Sequence, residues 1–368
     1  GSPAIGLTDA RALNGSPVWM PDQRRLLFVS NRDGDRDIYS VVIDRQGRAR
    51  GQPQRLTTGL GAHSIALSAD GRSLVYSVFR TIANIWWAAL PGGSTGEVPA
   101  APLTRGTQSI EGLALSSDGK WIAFDSDRHG NQDIYRMPVG GGEPVQVTSD
   151  PADEFMPHWS PDAGEIAYYR FTSDGVRRLE TVPAAGGTPA PVVSLPRVQR
   201  FPAWSPDGRS LAFHSTGSGS DGLFRVSRDA EGQWGPARRL TSDSGREARW
   251  SPDGREVLYI RSDGLWTVGA DGTGRRQVLR LGPSSMPTHG HAEWSRDGRE
   301  IFFKRFDQSG RTSFWSVPAG GGTPRELLRL DPGLQSHRPE FATDGRRFYF
   351  TVTERLSDIW IMELLPVR

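Results

Sequence analysis

The chemistry this chain could perform starts with its histidines. Five of the seven, His63, His158, His289, His291 and His337, stand in or beside segments that lead into predicted strands. His289 and His291 are two apart, so on an extended segment they point to one side, and with His337 they could offer imidazole nitrogens to a divalent metal. No carboxylate is tied to them by spacing, so the expectation is solvated side chains, with no metal and no cofactor. Gly92-Gly93-Ser94-Thr95-Gly96 has the letters of a nucleophile elbow, but it follows Pro91 and leads into no helix, so it reads as a glycine-rich turn. Asp33-Gly34-Asp35-Arg36-Asp37 looks like a calcium loop yet lacks the closing Glu at the twelfth position. Cysteine is absent, which excludes disulfides, thiolate metal sites and thiol nucleophiles. No catalytic residue is assigned, and the chain is not expected to be an enzyme.

The elements that position these residues repeat. An aromatic residue or Leu followed by Ser-Pro-Asp-Gly-Arg is clearest at Trp204 to Arg209 and Trp250 to Arg255, with looser copies beginning at Trp19, Leu67, Leu115, Trp159, Trp294 and Phe341. Its Asp falls at Asp22, Asp70, Asp118, Asp162, Asp207, Asp253, Asp297 and Asp344, in steps of 48, 48, 44, 45, 46, 44 and 47 residues. Asp-Gly makes a tight hairpin turn, and the stretch after it alternates apolar and polar residues, as Ser210 to His214 do. An apolar-aromatic pair such as Ile38-Tyr39 or Ile134-Tyr135 marks a third strand, and Leu-Thr, as at Leu56-Thr57 and Leu240-Thr241, ends a fourth.

Units of four strands at this period predict an all-β fold, an eight-bladed β-propeller of four-stranded blades forming a single domain over residues 1–368. After Ile359-Trp360 too little chain remains for a fourth strand, whereas Ile5-Gly6-Leu7-Thr8 looks like a fourth strand with no blade before it. Residues 1–10 are therefore expected to complete the last blade as its outer strand and close the ring.

In such a ring, the segment entering the first strand and the loop between the second and third strands share a face at the channel mouth. Four places before the first-strand aromatic, the repeats place Gly15, His63, Glu111, Phe155, Arg200, Arg246, Gly290 and His337, with Glu154, His289 and His291 beside them. Structure alone does not require such variety, which marks these polar residues as ligand-binding candidates. The second loops supply Arg32, Arg80, Arg128, Arg170, Arg261, Arg305 and Arg355. Arg32, Arg128 and Arg355 precede Asp37, Asp133 and Asp358 and are expected to pair with them. That leaves Arg80, Arg170, Arg261 and Arg305 to hold an anionic ligand. The repeated Trp positions read as packing between blades.

These phrases, together with Asp37-Ile38-Tyr39, Asp133-Ile134-Tyr135 and Asp358-Ile359-Trp360, resemble the TolB-type, WD-repeat-like propellers of bacteria over the whole chain. The resemblance implies a non-enzymatic ligand- or protein-binding propeller, a sensor or recognition module of a larger bacterial protein, periplasmic or otherwise extracytoplasmic. The alternative is an accessory, substrate-gating propeller of a serine peptidase whose catalytic domain is absent. Eight blades depart from the six of TolB itself. The expected partner is a peptide, a protein or a small anion at the channel mouth, bound by a monomer. With 44 basic and 42 acidic residues the chain lacks the basic excess of a nucleic-acid binder, and no apolar run is long enough to insert in a membrane.

Overall fold

The computed structural model describes residues 4–364 except 9–11, 35, 91–96, 173–174, 194–197, 218–220, 283–290, 308, 335 and 337. The glycine-rich segment 92–96, Asp35, His289 and His337 lie outside the described residues. The described chain is all β, arranged as seven sheets.

The repeated phrase explains itself locally. In the Ser205 to Ser210 turn, the Ser205 hydroxyl donates to Asp207 Oδ1 at 2.5 Å, Asp207 Oδ1 accepts the Arg209 N–H, and Ser205 Oγ accepts the Ser210 N–H. Gly208 has φ +67°, which an L side chain adopts only with strain. The same bonds recur at Ser116, Ser160, Ser251 and Ser295. The Leu-Thr phrase ties the outer strand to the third: Thr57, Thr104, Thr148 and Thr241 each accept through Oγ1 the N–H of Ile38, Ile85, Ile134 or Leu223. The repeated Trp locks neighbouring sheets, because the indole N–H groups of Trp159, Trp250 and Trp294 donate to the Ala114, Ala203 and Arg249 carbonyls of the preceding first strand.

Repeat one and repeats three to seven form their own sheets of four consecutive antiparallel strands. The sheet of repeat seven also takes Glu97–Val98 as a parallel fifth strand. Repeats two and eight differ from expectation. They share one sheet, built on two 17-residue strands, Ser73–Ala89 and Arg347–Glu363, that pair with each other. Backbone bonds from Leu90 to Arg346 and from Leu364 to Arg72, both 2.7 Å, bracket the pair. The reason lies in composition. Between the second and third strands the other repeats place Gly, as at Gly34, Gly130, Gly264 and Gly310, whereas Val78 to Ala83 and Val352 to Ser357 contain no Gly, Pro, Asp or Asn to turn the chain.

The chain divides by its contacts into two compact units, one of residues 1–81 with 355–368 and one of residues 82–354. In the first, the sheet Asn14–Trp19, Arg25–Ser30, Asp37–Ile43, Ala49–Arg55 encloses Leu26, Phe28, Tyr39, Val41 and Ile43. Of the expected closing strand 1–10, residues 4–8 are described and lie in no strand; Leu7 packs on that same cluster.

The second unit holds six sheets, counting the one entered by Phe341–Thr343, and six apolar clusters join them in succession. Ala123 and Ile134 meet Trp159 and Tyr168; Ala167 and Leu179 meet Trp204 and Phe213; Ala212 and Leu223 meet Trp250 and Tyr259. Leu258 and Leu265 meet Phe303, and Phe302 and Phe314 meet Phe341 and Phe348. The last cluster packs Ala342 and Tyr349 against Ile122, Phe124 and Tyr135, the sheet with which the series began.

Candidate ligand site where the first strands converge

In this second unit the first strands carry a shared irregularity. A register shift interrupts the pairing at Phe155/His158, Arg200/Ala203 and Arg246/Arg249, and the residue inside each shift, Met156, Phe201 or Glu247, has φ of 56°, 53° or 56°. Ser16 in the other unit repeats the pattern at φ 49°, so the bulge belongs to the repeat rather than to one ligand. Met156, Phe201 and Glu247 converge with Leu113, Pro157, Pro202, Arg249 and Glu340 on one cleft.

One wall of the cleft is a buried ionic network. His291 Nδ1 lies 2.9 Å from Glu247 Oε2 and His291 Nε2 lies 2.9 Å from Glu293 Oε1. Arg249 Nε donates to the same Glu293 oxygen at 2.6 Å. Burial opposes the charge on Glu293, but Arg249 and His291 hold its carboxyl down to about 2. Burial and Arg249 likewise oppose charging of His291, and the bonds to Glu247 and Glu293 overcome them and raise it. His158 is pushed down to about 4, by burial first and then by Arg249. Asp125, fully buried, accepts the N–H groups of Glu111, Gly112 and Met156. Burial and then the Glu111 carboxylate push it up to about 8 against those bonds.

A second group of the same unit is cationic. Arg200 and Arg246 lie in neighbouring first strands, Val198–Trp204 and Arg246–Trp250, Arg200 pairs in register with His214, and Arg177 stands in the preceding sheet with its guanidinium 3.9 Å from the centre of the Phe171 ring. None of the three arginines meets a carboxylate among the described residues, and the buried Nε atoms of Arg177 and Arg200 have no acceptor there. Burial, and then Arg177, lower Arg200; burial, then Arg246 and Arg200, push His214 down to about 4.

Of the candidates read from sequence, the structure thus brings Arg200 and Arg246 together and places His291 in the ionic network. Glu111 pairs with Arg338, and Glu154 is fully buried, with neither oxygen meeting a donor. His63 and Arg80 belong to the other unit, where His63 packs edge-on against Phe79 at 4.4 Å. The expected arginine ring is largely committed elsewhere. Arg170 pairs with Asp150 at 2.7 Å, Arg261 with Asp243 at 2.7 Å, and Arg305 lies over the Trp315 ring. The expected pairing of Arg32 and Arg128 with Asp37 and Asp133 also does not form. Asp37 is taken by Arg55 and Thr57 and Asp133 by Gln146, while Arg32 and Arg128 cover the Tyr39 and Tyr135 rings. An aromatic third strand gives the guanidinium a π face close at hand, and the Asp turns the other way to cap the outer strand.

Glu247, Arg249, Glu293, Glu340 and Arg177 were missed. Four places before the aromatic stands Arg246, but the bulge turns the next residue inward, so Glu247 lines the cleft.

No family model matches the chain. Among solved structures, that of a putative TolB from Agrobacterium tumefaciens superimposes with TM-score 0.59 at 20% identity, covering 74% of this chain and 99% of that one. The chain has a TolB-like β-propeller fold. Over 168 residues it is 27% identical to the TolB homolog of Chlorobium luteolum, 44% of this chain and 33% of that protein. Over 225 residues it is 23% identical to dipeptidyl-peptidase 5 of Porphyromonas endodontalis, 48% of this chain and 32% of that protein. The match thus spans about a third of the length of each of these relatives.

Proposed function

We propose that this propeller is a non-enzymatic recognition module of a larger protein, and that it binds an anionic group, a carboxylate or phosphate of a peptide or small molecule, at Arg177, Arg200 and Arg246. The observation that carries this reading is the trio itself. Three half-buried guanidinium groups from three successive blades stand without a carboxylate among the described residues, and two of them keep a buried N–H without an acceptor. Such groups cost stability unless something accepts from them, and a planar oxyanion fits them in bidentate fashion. On this reading the working ring is the six-blade unit of residues 82–354, and the eight repeats of the sequence are six blades plus two. Calorimetry with citrate, inorganic phosphate and an acetylated tri-glutamate peptide tests it. Saturable binding that weakens at least tenfold in the Arg200→Gln/Arg246→Gln variant is expected; equal binding by that variant, or no saturable heat from any of the three probes, overturns it.

The likeness to dipeptidyl-peptidase 5 favours a second reading, an accessory propeller that filters substrates for a serine peptidase. Peptide-amide hydrolysis by the full gene product, with its selectivity for acidic peptides lost in the same variant, would support that setting for the site.

A further inference from the structure

We propose that repeat five carries a second anion site, built by Arg225, Arg238 and Arg239 for a phosphate monoester. Its basis is a comparison of three neighbouring repeats. In repeat six, Glu256 opens the second strand and is neutralised there: Arg276 of the fourth strand donates to its Oε1 at 3.3 Å, and the Thr267 hydroxyl of the third strand donates at 3.0 Å. Repeat seven has the same trio, with Arg325 and Ser316 donating to Glu300 Oε1 at 3.1 and 3.2 Å. The strand registers place Ser210, Arg225 and Arg238 at those three positions of repeat five. There the carboxylate has become a serine and the hydroxyl a second arginine.

The exchange sets two guanidinium groups directly opposite each other, since Arg225 pairs with Arg238, and like charges so placed across two strands repel. Arg225 is tied through Nε to Ser210 Oγ and through Nη1 to the Ala270 carbonyl, both at 3.1 Å, which leaves its Nη2 for a ligand. Arg238 meets no acceptor among the described residues. Arg239 adds a third charge. Its counterpart in repeat one, Arg55, pairs with Asp37, but Gly222 stands at the Asp37 position, where a Cβ would lie 2.3 Å from the Thr241 carbonyl oxygen. Arg239 is left bonding the Thr241 and Asp221 carbonyls. All three arginines line one groove of about 460 Å³, with Gly235, Pro236 and Leu240 on one side and Ala270 and Asp271 of repeat six on the other. The turn from Arg225 to Arg238 is four residues longer than that from Thr267 to Arg276, and the extra length supplies the Gly235 and Pro236 wall. Asp271 is the one acid of the lining, and its Oδ1 is occupied by the Thr273 N–H and hydroxyl, so the groove keeps an excess of two positive charges. Asp207, which also feels Arg225, belongs to the turn that all three repeats share and accepts from Ser205 and Arg209, so it does not replace the missing Glu. A phosphate monoester brings two negative charges and three acceptor oxygens, and paired guanidinium groups hold it in bidentate fashion.

The groove is separate from the site of Arg200. Ser210 opens the second strand, and His214, which pairs with Arg200, stands four residues further along it, about 13 Å away. The test therefore uses the whole chain carrying Arg200→Gln/Arg246→Gln, so that failure of either site is seen by itself. Calorimetry compares phenyl phosphate with benzoate, its singly charged counterpart. Saturable binding of phenyl phosphate, at least tenfold tighter than benzoate, is expected. Arg238 is exposed, so Arg238→Gln leaves the core intact and should raise the Kd at least tenfold. Ser210→Glu/Arg225→Thr, which gives repeat five the side chains of repeat six, should abolish binding; if that double variant does not fold, Arg238→Gln decides alone. Tighter binding of an acetyl-Ala-phosphoserine-Ala-amide peptide than of phenyl phosphate assigns the group to a modified protein side chain, and the reverse to a small molecule; both agree with the site. No saturable binding of phenyl phosphate, equal binding of benzoate, or unchanged affinity in Arg238→Gln overturns it.

Discussion

The phrase Asp-Ile-aromatic has opposite fates at two places in the chain. In Asp133-Ile134-Tyr135 both apolar side chains are fully buried, whereas Ile359 is 79% exposed and Trp360 54%. The Trp of the turn phrase divides in the same way: Trp250 is buried with its indole N–H on Ala203, and Trp19 is 52% exposed. Local sequence brings each segment to a strand and a turn, and burial comes only where a further strand or a neighbouring sheet supplies the facing surface. A repeat of this kind specifies a half-core, and its stability comes from the next repeat.

The largest test of that contrast is truncation of the aromatic. Tyr135→Ala should cost about 4 kcal/mol in chemical denaturation, as removal of a fully buried ring does, while Trp360→Ala should stay within about 0.5 kcal/mol. Comparable losses would break the comparison.

A second contrast sits at the start of the first strand, where Asn14 accepts from Arg32 at 3.1 Å and the equivalent Glu154 is buried without a donor. Burial, helped by the Asp133, Glu180 and Asp150 carboxylates, pushes the Glu154 carboxyl up to about 8 from an ordinary 4.5. A folded pKa above the unfolded one means that the native state holds a proton the unfolded state has released. Glu154 therefore costs nothing below the unfolded value, and its cost grows as pH rises through this window. Glu154→Gln should gain stability relative to the parent between pH 4.5 and 8, by at most a few kcal/mol, and no further above it. Melting curves of both proteins across that range check the sign; a gain largest at acid pH would refute it.

The smallest effect is the indole bond. Trp250→Phe should lose about 1 kcal/mol beyond the small change in buried area, because the Ala203 carbonyl loses its donor, and Trp19→Phe should lose almost nothing. A denaturation series on the two variants measures the difference.

The sequence makes the blades legible because each phrase has a local job. Asp207 organises its own turn and Thr148 reaches the third strand of its own repeat, so both can be read without knowing the neighbours. The shared sheet of repeats two and eight was written in the chain as well, in the lack of turn residues between Val78 and Ala83 and between Val352 and Ser357. A missing turn leaves no motif, so the repeat pattern alone does not reveal it. The site was legible only in part. Arg200 and Arg246 stand out as non-repeating residues, but a bulge inverts which side of a strand faces the cleft. Period-two reasoning therefore stops one residue short of Phe201 and Glu247. Arg170 and Arg261 could not be set aside from sequence, since Asp150 and Asp243 reach them from other loops.

The two long strands carry a consequence for heredity as much as for stability. Residues 82–354 leave and rejoin the rest of the chain through adjacent antiparallel strands, so the segment enters and exits at one place. A gene fragment with its two ends side by side can be lifted out, transplanted into another protein or re-opened at a different loop without rerouting the chain.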